Sequence, residues 1–324
     1  MTPRICASVI AIAACWAGAA PAWSQAYPSR PIRFVVPFAP GGNADTVSRT
    51  TSQKATEYLG QQVVIDNRSG ANGNIGMEIV ARAAPDGYSL VLGYIANIVI
   101  APSLVDRLPY DPVKDYAPVT QLASAPNIVV VHPAVPARNL KELIALSKAK
   151  PKSVNFSSAG VASVGHLTGE LFNTALGADL QHVPYKGSAQ GVIDLLAGQI
   201  QMMIGGMSSV MPHIKAGRLR PIAMTSKMRA PAAPDVPTVA ESLMPGFEAT
   251  AWYGIFAPAG TPPVIVKRLQ SEYARALLAP EVRQRLESLS FEVVGSTPEA
   301  FAAYIKTETV KWAKVVKTSG AKPQ

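Results

Sequence analysis

Histidine is the side chain best suited to acid–base or metal chemistry near neutral pH. This 324-residue chain has four: His132, His166, His182 and His213. None belongs to an H-E-x-x-H motif, and no pair has metal-ligand spacing with a carboxylate, so no metal is expected. The nucleophile elbow G-x-S-x-G is also missing. Ser163 and His166 are the one local pair that would serve as nucleophile and general base, and an exported hydrolase is the reading that uses them. The remaining chemistry needs no reactive side chain. In FVVPFAPGGNADTVSR, residues 34–49, an apolar run ends at Pro37 and the turn Phe38-Ala39-Pro40-Gly41-Gly42-Asn43 follows. Asp45 then stands where it would cap a helix over 45–59, which Gly60 stops.

A second stretch has the same form. The apolar run 154–156 leads to Ser157-Ser158-Ala159-Gly160, and Ser163 caps a helix over 163–176 that carries His166 in its first turn. The first amides of a helix have no intrahelical partner, and the helix dipole adds partial positive charge there. Glycine lets a ligand approach the backbone. In an open α/β sheet ligands lie beyond the carboxyl ends of the strands, where such turns sit. Two matching turns therefore point to one shared anion site. The Walker lysine is absent from both. Gly70-Ala-Asn-Gly73-Asn-Ile-Gly76 spaces its glycines wrongly for a dinucleotide fingerprint, and Asn72 would obstruct a pyrophosphate. A carboxylate fits better than a phosphate. Tyr185-Lys186-Gly187, ahead of a helix, would bring Lys186 to the cleft or leave it at a surface turn. Gly205-Gly206 would border a cavity or make a tight turn, and Trp252-Tyr253 would be core or cleft wall. Gly93 and Tyr94, which follow the strand-like run 89–92, are assigned to the same site.

The elements that must position these residues alternate. Strand-like runs at 32–36, 63–65, 89–92, 128–131, 154–156, 201–204 and 221–224 are interleaved with helical runs at 45–59, 140–148, 163–176 and 189–196. That pattern predicts α/β layers with mostly parallel strands. The last seventy or so residues read as helices over 264–278, 281–289 and 298–316, with a short strand at 291–294. Val264, Leu269, Tyr273 and Leu277 are expected on one face of the first of these. Two long extended stretches, 117–131 and 249–257, read as crossings between two domains. The domain assignment that follows is 27–123 plus 250–324 for a discontinuous first domain and 124–249 for an inserted second one.

Residues 1–26 read as a secretory signal peptide, with Arg4, an apolar run and a small-residue cleavage site at Ser24-Gln25-Ala26. A lipoprotein box ending at Cys15 is the weaker alternative, because the apolar region before it is very short. Both cysteines, Cys6 and Cys15, lie in that leader, so the mature chain would have no disulfide and no thiol nucleophile. The formal net charge is +9. Its basic residues are scattered, with no aromatic interleaving, which argues against a nucleic-acid groove. No later stretch is apolar enough to span a bilayer.

Taken in order, PFAPGGNAD, DNRSGANGNIG, APDGYSLVLG, SSAGVASVGHLTGELF, VPYKG, LLAGQIQMMIGG, PHIKAGRLRPIAMTS, VPTVAES and WYGIFAPAGTP resemble the Bug family of extracytoplasmic solute receptors. These are related to the tricarboxylate-binding component of tripartite tricarboxylate transporters. The resemblance implies a type II periplasmic binding protein: a periplasmic monomer of two α/β domains joined by two crossing strands, without a cofactor. It also implies a small organic carboxylate held by main-chain amides between 38–45 and 157–166, with permease subunits in the membrane as partners. A receptor serving a membrane sensor kinase would look the same. Asn43-Ala44 departs from the small Pro-Thr-like pairs common in the family, and Ile204-Gly205-Gly206 replaces an aromatic-acidic pair. Loss of that acid suggests a ligand without an ammonium group.

Overall fold

Ile32, Phe34, Val35 and Val36 are fully buried, and the strand they form begins the sheet. The computed structural model describes residues 27–319 except Asp106 and Lys186. The predicted leader with Cys15, and Lys186, lie outside the described residues.

From that first strand, β1 (Ile32–Val36), the chain runs through α1 (Asn43–Leu59), β2 (Val63–Asn67), a 3-10 turn at Ala71–Gly73, α2 (Asn74–Ala81) and β3 (Ser89–Tyr94). A π-helical turn, Ala96–Ile100, continues into α3 (Ala101–Leu104) and then β4 (Tyr116–Val131). The middle of the chain supplies α4 (Leu140–Ala149), β5 (Val154–Ser157), α5 (Val164–Leu176), β6 (Leu180–Val183), α6 (Ser188–Leu196), β7 (Met202–Gly206), α7 (Met207–Lys215), β8 (Arg220–Met224) and α8 (Val239–Ser242). It closes with β9 (Thr250–Pro258), α9 (Pro263–Leu278), α10 (Pro280–Ser288), β10 (Glu292–Val293) and α11 (Pro298–Ser319).

The strands form one sheet in the order β2-β1-β3-β9-β4-β7-β5-β6, with β8 and β10 also paired to β4. The strands β2, β1 and β3 are parallel, as are β7, β5 and β6. The two extended stretches singled out in the sequence are β9 and β4, antiparallel neighbours from Tyr116–Pro258 to Pro126–Thr250. Beyond Pro126 the same β4 pairs with β7 and β8. It therefore belongs to both parts of the sheet.

Helices cover both faces, so strand residues are apolar on both sides. Along the last residues of β4, Val129 and Val131 pack into one cluster with Phe156, Met202 and Ile204. Ile128 and Val130 pack into the opposite one with Met203, Met207 and Val210. That alternation is the period of two of a strand. The larger cluster, around β1, β3 and β9, also takes in Ala162, Val164 and Leu167 from the start of α5. The second part of the sheet is thereby packed against the first beneath the turn after β5.

Two local expectations are corrected. First, α1 starts at Asn43 with Gly42 as N-cap and no side-chain cap bond, so Asp45 is not its cap. The Asp45 carboxylate instead accepts from the Gly41 amide. Second, Val264 is 75 % exposed, while Val266, Leu269, Tyr273 and Leu277 are buried. Five residues separate 264 from 269, which turns Val264 well away from that face. The sequence reading assigns no element to 207–215, which is helical although Pro212 lies inside it. With only a short segment before it, Pro212 interrupts little of the hydrogen-bond ladder.

Candidate functional site

A cavity of about 280 Å³ lies between the carboxyl ends of the strands of the two parts of the sheet. Its wall includes Phe38, Ala39, Pro40, Gly42, Asn43, Tyr94, Ala159 and Gly205 from the sequence-predicted set. Asn127, Gly187, Ser188, Gln190, Ile193, Ile204, Gly206 and Tyr253 complete most of it. Among the described residues, no Asp, Glu, Lys, Arg or His lines it.

Three helices begin on this wall. Gly42, Gly187 and Gly206 are the N-caps of α1, α6 and α7, and none has a side-chain cap bond. At each start the first amides have no side chain to satisfy them. Gly187 has φ 127°, a conformation that excludes most other residues there. Asn43 adds a side chain: its Nδ2 is buried without a hydrogen-bond partner, and it lies beside the Tyr253 hydroxyl. Polar donors thus converge on one volume in the absence of any cationic side chain on the described wall.

The rest of the wall is aromatic and aliphatic. Tyr94 and Tyr253 stack with ring centroids 5.2 Å apart, and Phe38 meets Tyr94 edge-on at 5.5 Å. Burial raises the pKa of both tyrosines, against a weaker pull from the Val164 amide on Tyr94 and from Asn43 on Tyr253. Both hydroxyls therefore remain protonated at neutral pH. Trp252, adjacent to Tyr253, points to the other side of β9 and packs on Phe301 and Tyr304. The sequence left Trp252-Tyr253 as core or cleft wall, and the pair divides, one to each.

The other described residues of the predicted set lie off this wall. Gly41 gives its amide to Asp45 at 3.0 Å, and Asp45 also accepts from Arg49 and Asn67. Burial acts to raise the Asp45 pKa, but those three hydrogen bonds outweigh it and hold the carboxyl below its ordinary range. This ties down the first turn. Gly93 makes room for the Phe256 ring, which a Cβ would overlap. Tyr185 turns to Asp194, donating at 2.7 Å.

The turn after β5 differs from the one after β1. Ser163 caps α5, accepting from the His166 amide, and the His166 Nδ1 accepts from the Ala162 amide. The imidazole and the Ser163 hydroxyl are therefore engaged separately with backbone, and no nucleophile–base pair exists between them. Ser158 donates to the Gly160 carbonyl and sits 2.8 Å from His182 Nε2. Ser157 is fully buried below. Burial lowers the pKa of His166 to about 4 and, with His166 beside it, that of His182 to about 3. Of this turn only Ala159 reaches the cavity. The sequence signal that would have added Gly187 and Gly206 to the predicted site is the one used for the first turn: strand, glycine, helix, at 180–188 and again at 202–207.

Residues 47–321 match the tripartite tricarboxylate transporter family receptor. Protein BugT of Bordetella pertussis is 38% identical over 317 residues, 97% of each chain. The periplasmic binding protein BugD superposes with a TM-score of 0.87 at 36% identity, over 92% of this chain and all of that one. Rpa4515 of R. palustris, solved with adipate, gives 0.88 at 35% identity, with 92% and 100% covered. MatC of Rhodopseudomonas palustris, solved with bound malate, gives 0.85 at 34% identity, with 90% and 100% covered. This chain belongs to the tripartite tricarboxylate transporter family of receptors: it has the α/β fold of their periplasmic binding proteins, and it is a solute-binding receptor rather than an enzyme.

Proposed function

We propose that this receptor captures a small organic carboxylate between two lobes, 27–123 with 250–324 and 124–249, and holds it chiefly by main-chain amides. The observation that carries the reading is the meeting of three helix starts, each glycine-capped and free of a side-chain cap, on one cavity wall. Hydrogen bonds to a charged group contribute on the order of 1.5–3 kcal/mol each. A micromolar ligand needs roughly −8 kcal/mol in all. A few such amides, with Ser188, Asn127 and Asn43, are enough. Adipate and malate in two relatives support the carboxylate class.

The stacked tyrosines, Phe38, Ile193 and Ile204 would hold the carbon body. With no acidic side chain on the described wall, a ligand ammonium would be buried without a partner. The ligand is therefore a carboxylate lacking an ammonium group. The loaded receptor, a periplasmic monomer that begins at Tyr27 after leader removal, delivers it to membrane permease subunits of a tripartite tricarboxylate-type transporter. Among the described residues, no helix is long and apolar enough to cross a membrane.

Isothermal titration with succinate, malate, adipate, citrate and aspartate tests this. At least one acid is expected to bind at micromolar concentration, with aspartate weaker than succinate. Aspartate as the tightest ligand overturns the ammonium argument; binding of none, or equal binding of the corresponding amides, overturns the carboxylate reading.

A further inference from the structure

Asn43 and Ser208 meet beside the cavity. Asn43 opens α1 and Ser208 lies in the first turn of α7, so they come from different parts of the sheet. The Ser208 hydroxyl donates to Asn43 Oδ1. Asn43 is only 6% exposed and lines the cavity, and its Nδ2, though near the Tyr253 hydroxyl, has no partner within hydrogen-bond distance. Ser208 is half-buried and is not part of the wall. Gly206, the N-cap of α7, lies so close to the Asn43 amide that any Cβ there would overlap it.

A carboxamide presents an acceptor on one side and donors on the other. With Oδ1 taken by Ser208, the orientation of Nδ2 is no longer free. We propose that Ser208 is a positioning residue that turns Asn43 so that its Nδ2 donates to the ligand carboxylate, which makes Asn43 a specificity-determining residue. Because the two side chains belong to opposite sides of the cleft, the donor is set only when those sides are together. Closure and recognition are then one event: an acid that fills the Nδ2 position gains from closure, and a neutral analogue with a donor there does not. This rests on the carboxylate reading above.

The experiment is calorimetry on the full mature chain with the tightest-binding acid among succinate, malate, adipate and citrate. Ser208→Ala is expected to weaken binding about tenfold, the worth of one charge-assisted hydrogen bond. Ser208→Thr, which keeps the hydroxyl, should restore it to within about threefold of the wild type. Asn43→Asp keeps an acceptor for Ser208 and replaces the donor with a carboxylate oxygen, so it should lose about a hundredfold or more. In an Asn43→Ala background, Ser208→Ala should have no further effect, because Ser208 acts through Asn43. A Ser208→Ala variant that binds like the wild type, or one that loses as much in the Asn43→Ala background, overturns the inference and leaves the carboxylate reading standing. A wild type that binds none of the acids overturns both.

Discussion

Gly206 is needed for a reason that concerns a neighbouring side chain rather than the backbone. Its φ of −62° suits any residue, yet a Cβ would overlap the Asn43 amide. Gly206→Ala is therefore expected to leave the unliganded melting temperature nearly unchanged and to weaken acid binding by at least about tenfold, since the cleft cannot shut over it. Ser163 makes the opposite prediction. Its hydroxyl is spent on the His166 amide. Ser163→Ala should cost about 1 kcal/mol of folding stability in denaturant titration and leave acid affinity within about twofold. A collapse of affinity without loss of stability would put the ligand at Ser163. The two residues show what the sequence could disclose. A serine before a helix reads as a cap and as a ligand hydroxyl equally well, and only the partner of its oxygen decides. Gly205-Gly206 left a cavity border and a tight turn open for a related reason: the atom that requires glycine, the Asn43 amide, is over 160 residues away.

At the scale of elements, short-range pattern was a good guide. The strands at 32–36 and 154–157, and the helices that follow them, show in the apolar runs and the small-residue turns. So do the long extended segments that became β4 and β9. Which helix starts remain uncapped was not legible. Two turns of similar composition diverge because one glycine-capped helix has no capping side chain while the other has Ser163. The starts at Gly187 and Gly206 carry the same strand–glycine–helix signal and join the cavity by tertiary placement alone. The crossing β9 also has a testable dependence on α11. A Cβ at Gly254 would overlap the Phe301 ring, which packs on Trp252 and Phe256. Gly254→Ala should destabilise by about 1–3 kcal/mol through overpacking, read as a lower denaturation midpoint at unchanged slope. No loss would mean that α11 is free to shift.

For the whole molecule, acid is the informative perturbation. His166 and His182 have folded-state pKa values near 4 and 3 against an ordinary 6.5, so both are neutral in the native state. Between about pH 6.5 and pH 4 the unfolded chain binds more protons than the native one, and stability falls as pH falls. Each extra proton taken up on unfolding is worth about 1.4 kcal/mol per pH unit. Asp45 and Asp66, whose pKa values are lowered, add to the loss below the ordinary carboxylate range. Glu170, 3.8 Å from His166 and with its pKa raised by burial, opposes it in part. Thermal melts from pH 7.5 to 4.5 should show a steady decline, and His182→Gln should flatten it. A pH-independent melting temperature over that range would mean the two imidazoles are not shielded from water. Small-angle scattering supplies the companion measurement: the proposed cleft closure predicts a smaller radius of gyration with saturating acid than without.

The three helix starts have an electrostatic consequence. Each helix end carries about half a unit of positive charge, so roughly one and a half units border one small cavity. Like poles brought so near repel, and the repulsion grows as the jaws approach. A guest bearing one or two negative charges cancels most of it, whereas an uncharged guest of the same shape leaves it in place. In the proposed reading the anion is the missing counter-ion of a shut form, and its capture is the neutralisation that would let the two halves rest together.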